Sequence, residues 1–202
     1  DRFERITRRG KLDDVWAGLQ AAEREGLTPI KINVVVVRGL NDDEVVDFAR
    51  RTRTEGWHVR FIELMPIGAN VAWAGDGVVP IPEMRTRIEE AEGPLEAVHG
   101  PRGNGPARYH RLDGAEGTVG FIGAMSDHFC SGCNRLRLTA DGRLRPCLMS
   151  DQEIDLRAPL RAGAGDDRLR DLLAEAIHLK PQRHHLAEAQ SPRDRTMAEI
   201  GG

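Results

Sequence analysis

A chain of 202 residues, 40% hydrophobic and with a formal net charge of −3, carries enough apolar material for one large domain or two small ones. It lacks the basic surplus that drives nonspecific nucleic-acid binding, no apolar run is long enough to cross a bilayer, and its first residues have no signal-peptide character. Neither a nucleic acid nor a membrane is therefore expected as a partner.

The chain opens in mid-pattern, without an initiator methionine or a capping residue, and the expectation is that a longer N-terminal part precedes it. Residues 12–25 read as an amphipathic helix with Leu12, Val15, Trp16, Leu19 and Ala22 on one face and Gly26 as its stop. Residues 30–37 read as a strand whose four consecutive valines suggest burial on both faces. Asn41 and Glu44 have the spacing of a capping box for a second helix, which runs to about Glu55, and residues 58–64 form the next strand. Helix, strand, helix, strand with short connections is a βα repeat, and in such sheets ligands sit at the carboxyl ends of the strands.

After Met65 the chain is rich in glycine, proline and small residues up to residue 80. A short helix is predicted over 82–91, strands over 107–112 and 118–122, and a hairpin over 135–139 and 143–147 around Asp141-Gly142. A last helix is predicted over 166–179, with Leu169, Leu172, Leu173, Ala176 and Ile177 as its apolar stripe.

The three cysteines of the chain lie in this hairpin region: Cys130 and Cys133 as a C-x2-C pair, and Cys147 after thirteen intervening residues. Clustered thiols without an export signal point to metal binding in a reducing compartment, by default the cytoplasm. Spacing alone suits structural zinc, with His128 as a candidate fourth ligand. An iron–sulfur cluster competes, because three cysteines on a [4Fe–4S] cube leave one iron open to a ligand. Arg135 and Arg137, two residues apart on a strand, share a face and suit a bidentate grip on phosphate oxygens. In the βα region Lys31 and Asn33 interrupt an apolar strand, and Arg60 sits within the next, with Glu63 at the opposite parity. Each of these cations either pairs with a carboxylate or lines a ligand cavity at the strand ends. Alone, Met65 reads as core filler and the terminal Gly201-Gly202 as a disordered end.

Taken together, five stretches resemble the GTP 3′,8-cyclase family of radical S-adenosylmethionine enzymes. They are residues 3–10, 30–34, 60–66, 128–148 and 197–202, in the family's order and across the whole chain. The resemblance implies an α/β fold: residues 1–75 as the C-terminal βα units of a partial (βα)6 barrel, and residues 76–202 as an α+β domain that holds an iron–sulfur cluster. It implies a [4Fe–4S] cluster on Cys130, Cys133 and Cys147, and GTP contacts from Lys31, Arg60, Arg135, Leu136 and Arg137. It also implies an S-adenosylmethionine contact at Met65 and a Gly201-Gly202 tail that enters the active site.

The implied reaction is the radical cyclisation of GTP in molybdenum cofactor biosynthesis, a lyase reaction. Its product passes to the next enzyme of the pathway, cyclic pyranopterin monophosphate synthase; a homodimer is compatible with the resemblance. The family's C-x3-C-x2-C motif for a second [4Fe–4S] cluster is missing, so the chain resembles the C-terminal portion and is expected not to cleave S-adenosylmethionine alone. The competing reading is a zinc-stabilised nucleotide- or partner-binding module without catalysis.

Overall fold

The computed structural model describes residues 2–65, 67, 76–101, 103, 105–127, 129–183 and 195–200. Two helices lead: α1 (Arg2–Thr7), which has no counterpart in the sequence reading, and α2 (Leu12–Arg24). The α2 stripe is only partly covered: Trp16 packs against Trp57 with ring centroids 5.6 Å apart, while Leu12 and Val15 stay exposed. Gly26 ends the helix as expected, at a φ of 70° that a side chain would strain.

Strand β1 (Lys31–Val36) alternates between exposed and covered positions, which overturns the expectation of two buried faces. Lys31, Asn33 and Val35 are exposed, whereas Val34 and Val36 are buried. The cause is packing on one face only: the side chains of Val34 and Val36 turn toward the core, and the alternate residues turn away from it. The capping box also fails. The Asn41 side chain accepts from the Val37 N–H (2.8 Å) and donates to the Val35 carbonyl (3.0 Å), closing the turn that leaves the strand. A 3-10 turn over Asp42–Glu44 follows, and helix α3 (Val45–Thr54) begins after it without a side-chain cap.

Strand β2 (His58–Glu63) buries Val59, Phe61 and Glu63 and keeps His58, Arg60 and Ile62 half-buried. Helix α4 (Ile81–Glu92) and strands β3 (Glu96–Ala97), β4 (Arg108–Arg111) and β5 (Thr118–Ile122) complete the first sheet, whose order is β1-β2-β5-β4-β3. β4 runs antiparallel to both neighbours, with His110 opposite Ala97 and Val119. Phe61 stacks on Phe121 at 6.0 Å across this sheet. The α3 arginines Arg50 and Arg53 meet Glu92 of α4 at 2.6 and 2.5 Å.

The second sheet is a three-stranded antiparallel one: β6 (Arg137–Leu138), β7 (Arg143–Arg145) and β8 (Ile154–Asp155), followed by helices α5 (Arg157–Arg161) and α6 (Asp166–His178). Its core is Leu144, Ile154, Leu172 and Ala176, with Leu136 and Leu156 packed against it. Of the predicted α6 stripe, Leu172 and Ala176 turn inward, while Leu173 and Ile177 remain exposed. The expected hairpin turn is present, and Gly142 adopts φ 81° within it. The fold is therefore mixed α/β, with helices around a five-stranded sheet and a small antiparallel sheet beside α5 and α6.

Two compact units divide the chain. One comprises Asp1–Val34, Glu44–Phe61 and Arg85–Phe121, and the other Val35–Asp43, Ile62–Met84 and Ile122–Gly202.

Candidate metal centre and anion sites

The cysteine site belongs to the second unit. Cys130 opens a 3-10 turn (Cys130–Gly132) that the Cys133 N–H closes onto the Cys130 carbonyl at 3.1 Å. Cys147 leaves β7 two residues beyond Arg145, and its sulfur accepts the Met149 N–H at 3.4 Å. All three thiols are free and half-buried. Among the described residues, no group of three His, Cys, Asp or Glu side chains is arranged so that it could hold a metal ion. His128 lies outside the described residues.

The three thiols differ electrostatically. For Cys133, burial is the largest influence and pushes the thiol up. The Arg135 backbone N–H, the Lys180 ammonium and the Arg135 charge together outweigh it, so the net shift is downward. Cys147 is pushed up, first by burial and also by Cys130 and Cys133, against the Met149 N–H and Lys180. A metal or cluster would remove these protons on binding. The chemistry of the donor set suits a thiolate-held iron–sulfur group: three thiols within eighteen residues, with the Lys180 ammonium acting on two of them.

Arg135 and Arg137 flank these cysteines, both half-buried. The Arg135 guanidinium lies 5.9 Å from the Phe129 ring centroid, and Arg137 donates to the Ile200 carbonyl at 3.2 Å. Burial and then the like charge of Arg135 lower the Arg137 pKa, the signature of two guanidiniums crowded into a partly desolvated place. Leu136 packs into the core of the small sheet, which anchors the segment between them.

Beneath the site runs a charge network that sequence reading missed. Arg145 is fully buried; it donates to Glu153 at 2.5 Å and to the Ser150 carbonyl. Glu153 also accepts from Arg195 at 2.6 Å, and Arg195 reaches Asp141 at 2.8 Å. Asp141 is held well below the ordinary carboxylate range, chiefly by its bond from Arg195. This network ties the hairpin to residues 195–200. The local sequence gives no signal for it, because β7 reads Arg-Leu-Arg and does not mark which arginine is buried.

Glu63 is the second missed residue. It is fully buried and accepts from the Ile81 N–H (2.9 Å), the Met125 N–H (2.6 Å), the Ser126 N–H (2.9 Å) and the Ser126 hydroxyl. It thereby fixes the strand exit that carries half-buried Met65 to the start of α4 and to the loop before the cysteines. Its parity opposite to Arg60 excludes the Arg60–Glu63 pair, as the sequence suggests.

In the first unit, Lys31 and Arg60 come together with His58 and Arg111. Burial and then the charges of Lys31, Arg111 and Arg60 hold the His58 pKa below its ordinary value. His58 Nδ1 lies 2.7 Å from the Thr118 hydroxyl. The Arg60 stem crosses β5 at Gly120, where a Cβ would stand 3.1 Å from Arg60 Cγ. Its Nε is buried without a hydrogen-bond partner among the described residues. Gly201 and Gly202 lie outside the described residues. A groove of about 610 Å³ between the hairpin turn, α5 and α6, lined by Leu138, Leu156, Leu160 and Leu173, contains none of the predicted site residues.

With the geometry in hand, comparison with known proteins is specific. Residues 57–186 match the family described as Molybdenum Cofactor Synthesis C. The GTP 3′,8-cyclase of Pelotomaculum thermopropionicum is 54% identical over 202 residues, covering 100% of this chain and 62% of that protein. That of Heliobacterium modesticaldum is 54% identical over 203 residues with the same coverage, and that of Gloeobacter violaceus 49% identical over 204 residues, covering 99% of this chain and 62% of the relative. The chain thus spans about 62% of the length of these relatives.

Proposed function

Because this chain belongs to the Molybdenum Cofactor Synthesis C family, we propose that it is the substrate-holding portion of a GTP 3′,8-cyclase acting in molybdenum cofactor biosynthesis. The observation that carries this reading is that three half-buried thiols and the guanidiniums of Arg135 and Arg137 stand together in the segment that leads into and out of the β6–β7 hairpin.

Cys130, Cys133 and Cys147 would hold a [4Fe–4S] cluster, which when bound supplies an open iron for a nitrogen or oxygen of the purine. Arg135 and Arg137 grip phosphate oxygens. Their partial burial strengthens that grip and excludes competing water. In the first unit Lys31 and Arg60 offer two further cations for GTP, and Arg60 Nε, without a partner among the described residues, is a donor for a ligand oxygen. Holding the base at one end and the phosphates at the other orients the ribose, and orientation of this kind accounts for much of a rate enhancement.

Met65 is the contact for S-adenosylmethionine, on the strand exit that Glu63 fixes. By family role, residues 1–75 are the barrel portion and 76–202 the cluster-bearing portion, a division distinct from the two compact units of the fold. With three cysteines in its sequence, the chain has none left for the second cluster that S-adenosylmethionine cleavage requires. The working compartment is the reducing cytoplasm, and the product passes to cyclic pyranopterin monophosphate synthase.

The test is iron, zinc and acid-labile sulfide content after anaerobic reconstitution, followed by electron paramagnetic resonance of the reduced protein with and without GTP. About four irons with matching sulfide, and a spectrum that shifts with GTP, are expected. One zinc, no sulfide and no response to GTP would refute the reading and leave a zinc-stabilised binding module.

A further inference from the structure

Lys180 is a lysine in an unusual place. Lysines are ordinarily exposed, yet this one is half-buried behind the cysteine hairpin. Its Nζ donates to the Arg135 carbonyl at 2.7 Å and to the Pro146 carbonyl at 3.0 Å. Arg135 lies two residues after Cys133, and Pro146 immediately precedes Cys147. One ammonium therefore spans both arms of the hairpin at the level of the thiols.

The sequence explains why the arms need it. The β6–β7 ladder pairs Leu138 with Leu144 and Arg137 with Arg145. Continued by one step, the register sets Leu136 opposite Pro146, which has no N–H to give. The ladder stops there, and the carbonyls beyond it need a donor from elsewhere. Lys180 provides two of its three N–H groups for this purpose. Its delivery is also legible: Leu172 and Ala176 seat α6 on Leu144 and Ile154, the Lys180 N–H closes on the Ile177 carbonyl at 3.2 Å, and Pro181 forbids another turn. The remaining N–H is within reach of the Cys133 sulfur, and the charge is also felt at Cys147.

We propose that Lys180 is a positioning residue of the cysteine site: its ammonium locks the two thiol-bearing arms together and sets a fixed positive charge beside the cluster they hold. This rests on the cluster reading above. Two consequences follow from charge and geometry. Neutralising Lys180 makes the cluster harder to reduce, because added electron density is no longer balanced by a neighbouring cation. Losing the bridge between the arms makes the iron easier to extract.

The experiment uses the reconstituted 202-residue chain and its K180M, K180Q and K180R variants. Circular dichroism checks folding, redox titration gives the cluster midpoint, and an iron chelator gives the rate of iron loss. K180M is expected to show a more negative midpoint and several-fold faster iron loss, and K180R to return both toward wild type. K180Q keeps two donors for the carbonyls, so it should hold iron better than K180M while sharing its lowered midpoint; if K180M does not fold, the K180Q midpoint decides. Wild-type midpoint and chelation rate in the charge-neutral variants would overturn the inference while leaving the cluster reading intact. Wild-type protein without iron and sulfide would overturn the cluster reading, and this inference with it.

Discussion

Glutamine at position 63 changes one atom of the side chain and should cost far more than its size suggests. In the native protein Glu63 Oε1 accepts from the Ile81 N–H and the Ser126 hydroxyl, while Oε2 accepts from the Met125 and Ser126 N–H groups. A glutamine keeps one acceptor oxygen. Its best orientation turns the NH2 group toward the Ser126 hydroxyl, which can rotate to accept, and leaves the Ile81 N–H facing a donor. One orphaned buried donor costs about 1–3 kcal/mol, and loss of charge assistance in the two surviving bonds adds roughly 1 kcal/mol. The expected loss for Glu63→Gln is therefore about 2–4 kcal/mol.

Glu63→Ala orphans three backbone donors, on the order of 3–9 kcal/mol before any water enters, which rivals the whole stability of a domain at about 5–15 kcal/mol. Urea unfolding followed by circular dichroism measures both. With a slope of about 2 kcal/mol per molar, Glu63→Gln should move the midpoint down by about 1–2 M. A midpoint within about 0.25 M of wild type would show that this carboxylate does not organise the strand exit.

Two further outcomes are expected. Burial, reinforced by Lys31, Arg111 and Arg60, depresses the His58 pKa in the folded protein, so the unfolded chain takes up the proton first as pH falls. Stability is then full above the unfolded value of about 6.5 and declines below it until the folded value is passed. Urea midpoints at about pH 7.5 and about pH 5.5 should fall less in His58→Asn than in wild type, and equal falls would refute the linkage. Arg145→Met should cost about 3 kcal/mol, the low end for breaking a buried pair, because Glu153 still keeps Arg195. Adding Arg195→Met to it strips Glu153 of both cations, so the double variant should lose more than the sum of the singles; strict additivity would show that the two arginines act separately.

Much of the fold was legible because it rests on local signals. The α2 and α6 periodicities, the Gly26 stop and the Asp141-Gly142 turn each act within a few residues, and each element appears where its pattern lies. Burial of β1 was misread because valine content reports strand preference, whereas exposure depends on what packs against each face of the sheet. Asn41 was misread because its side chain had two backbone uses available and the strand-exit turn won. In the site, the cysteines and their flanking arginines were visible from spacing. Glu63, Lys180 and Arg195 were not, because their partners lie 18 to 63, 34 to 45, and 42 to 54 positions away in the chain. No window-based pattern reports such pairings.

The grip on residues 195–200 bears on the order in which the protein can mature. Arg195 meets Glu153 across 42 positions, and Arg137 meets the Ile200 carbonyl across 63. A ribosome releases these residues after the hairpin they fasten, so Arg145 and Glu153 first form their pair without Arg195, and the last contacts close only after translation has moved past them. Ring closure over such distances depends weakly on length, with a doubling adding about 0.6 kcal/mol. Lengthening the chain between its anchors should therefore be tolerated, whereas removing the six residues from Arg195 to Ile200 deletes the fastening itself.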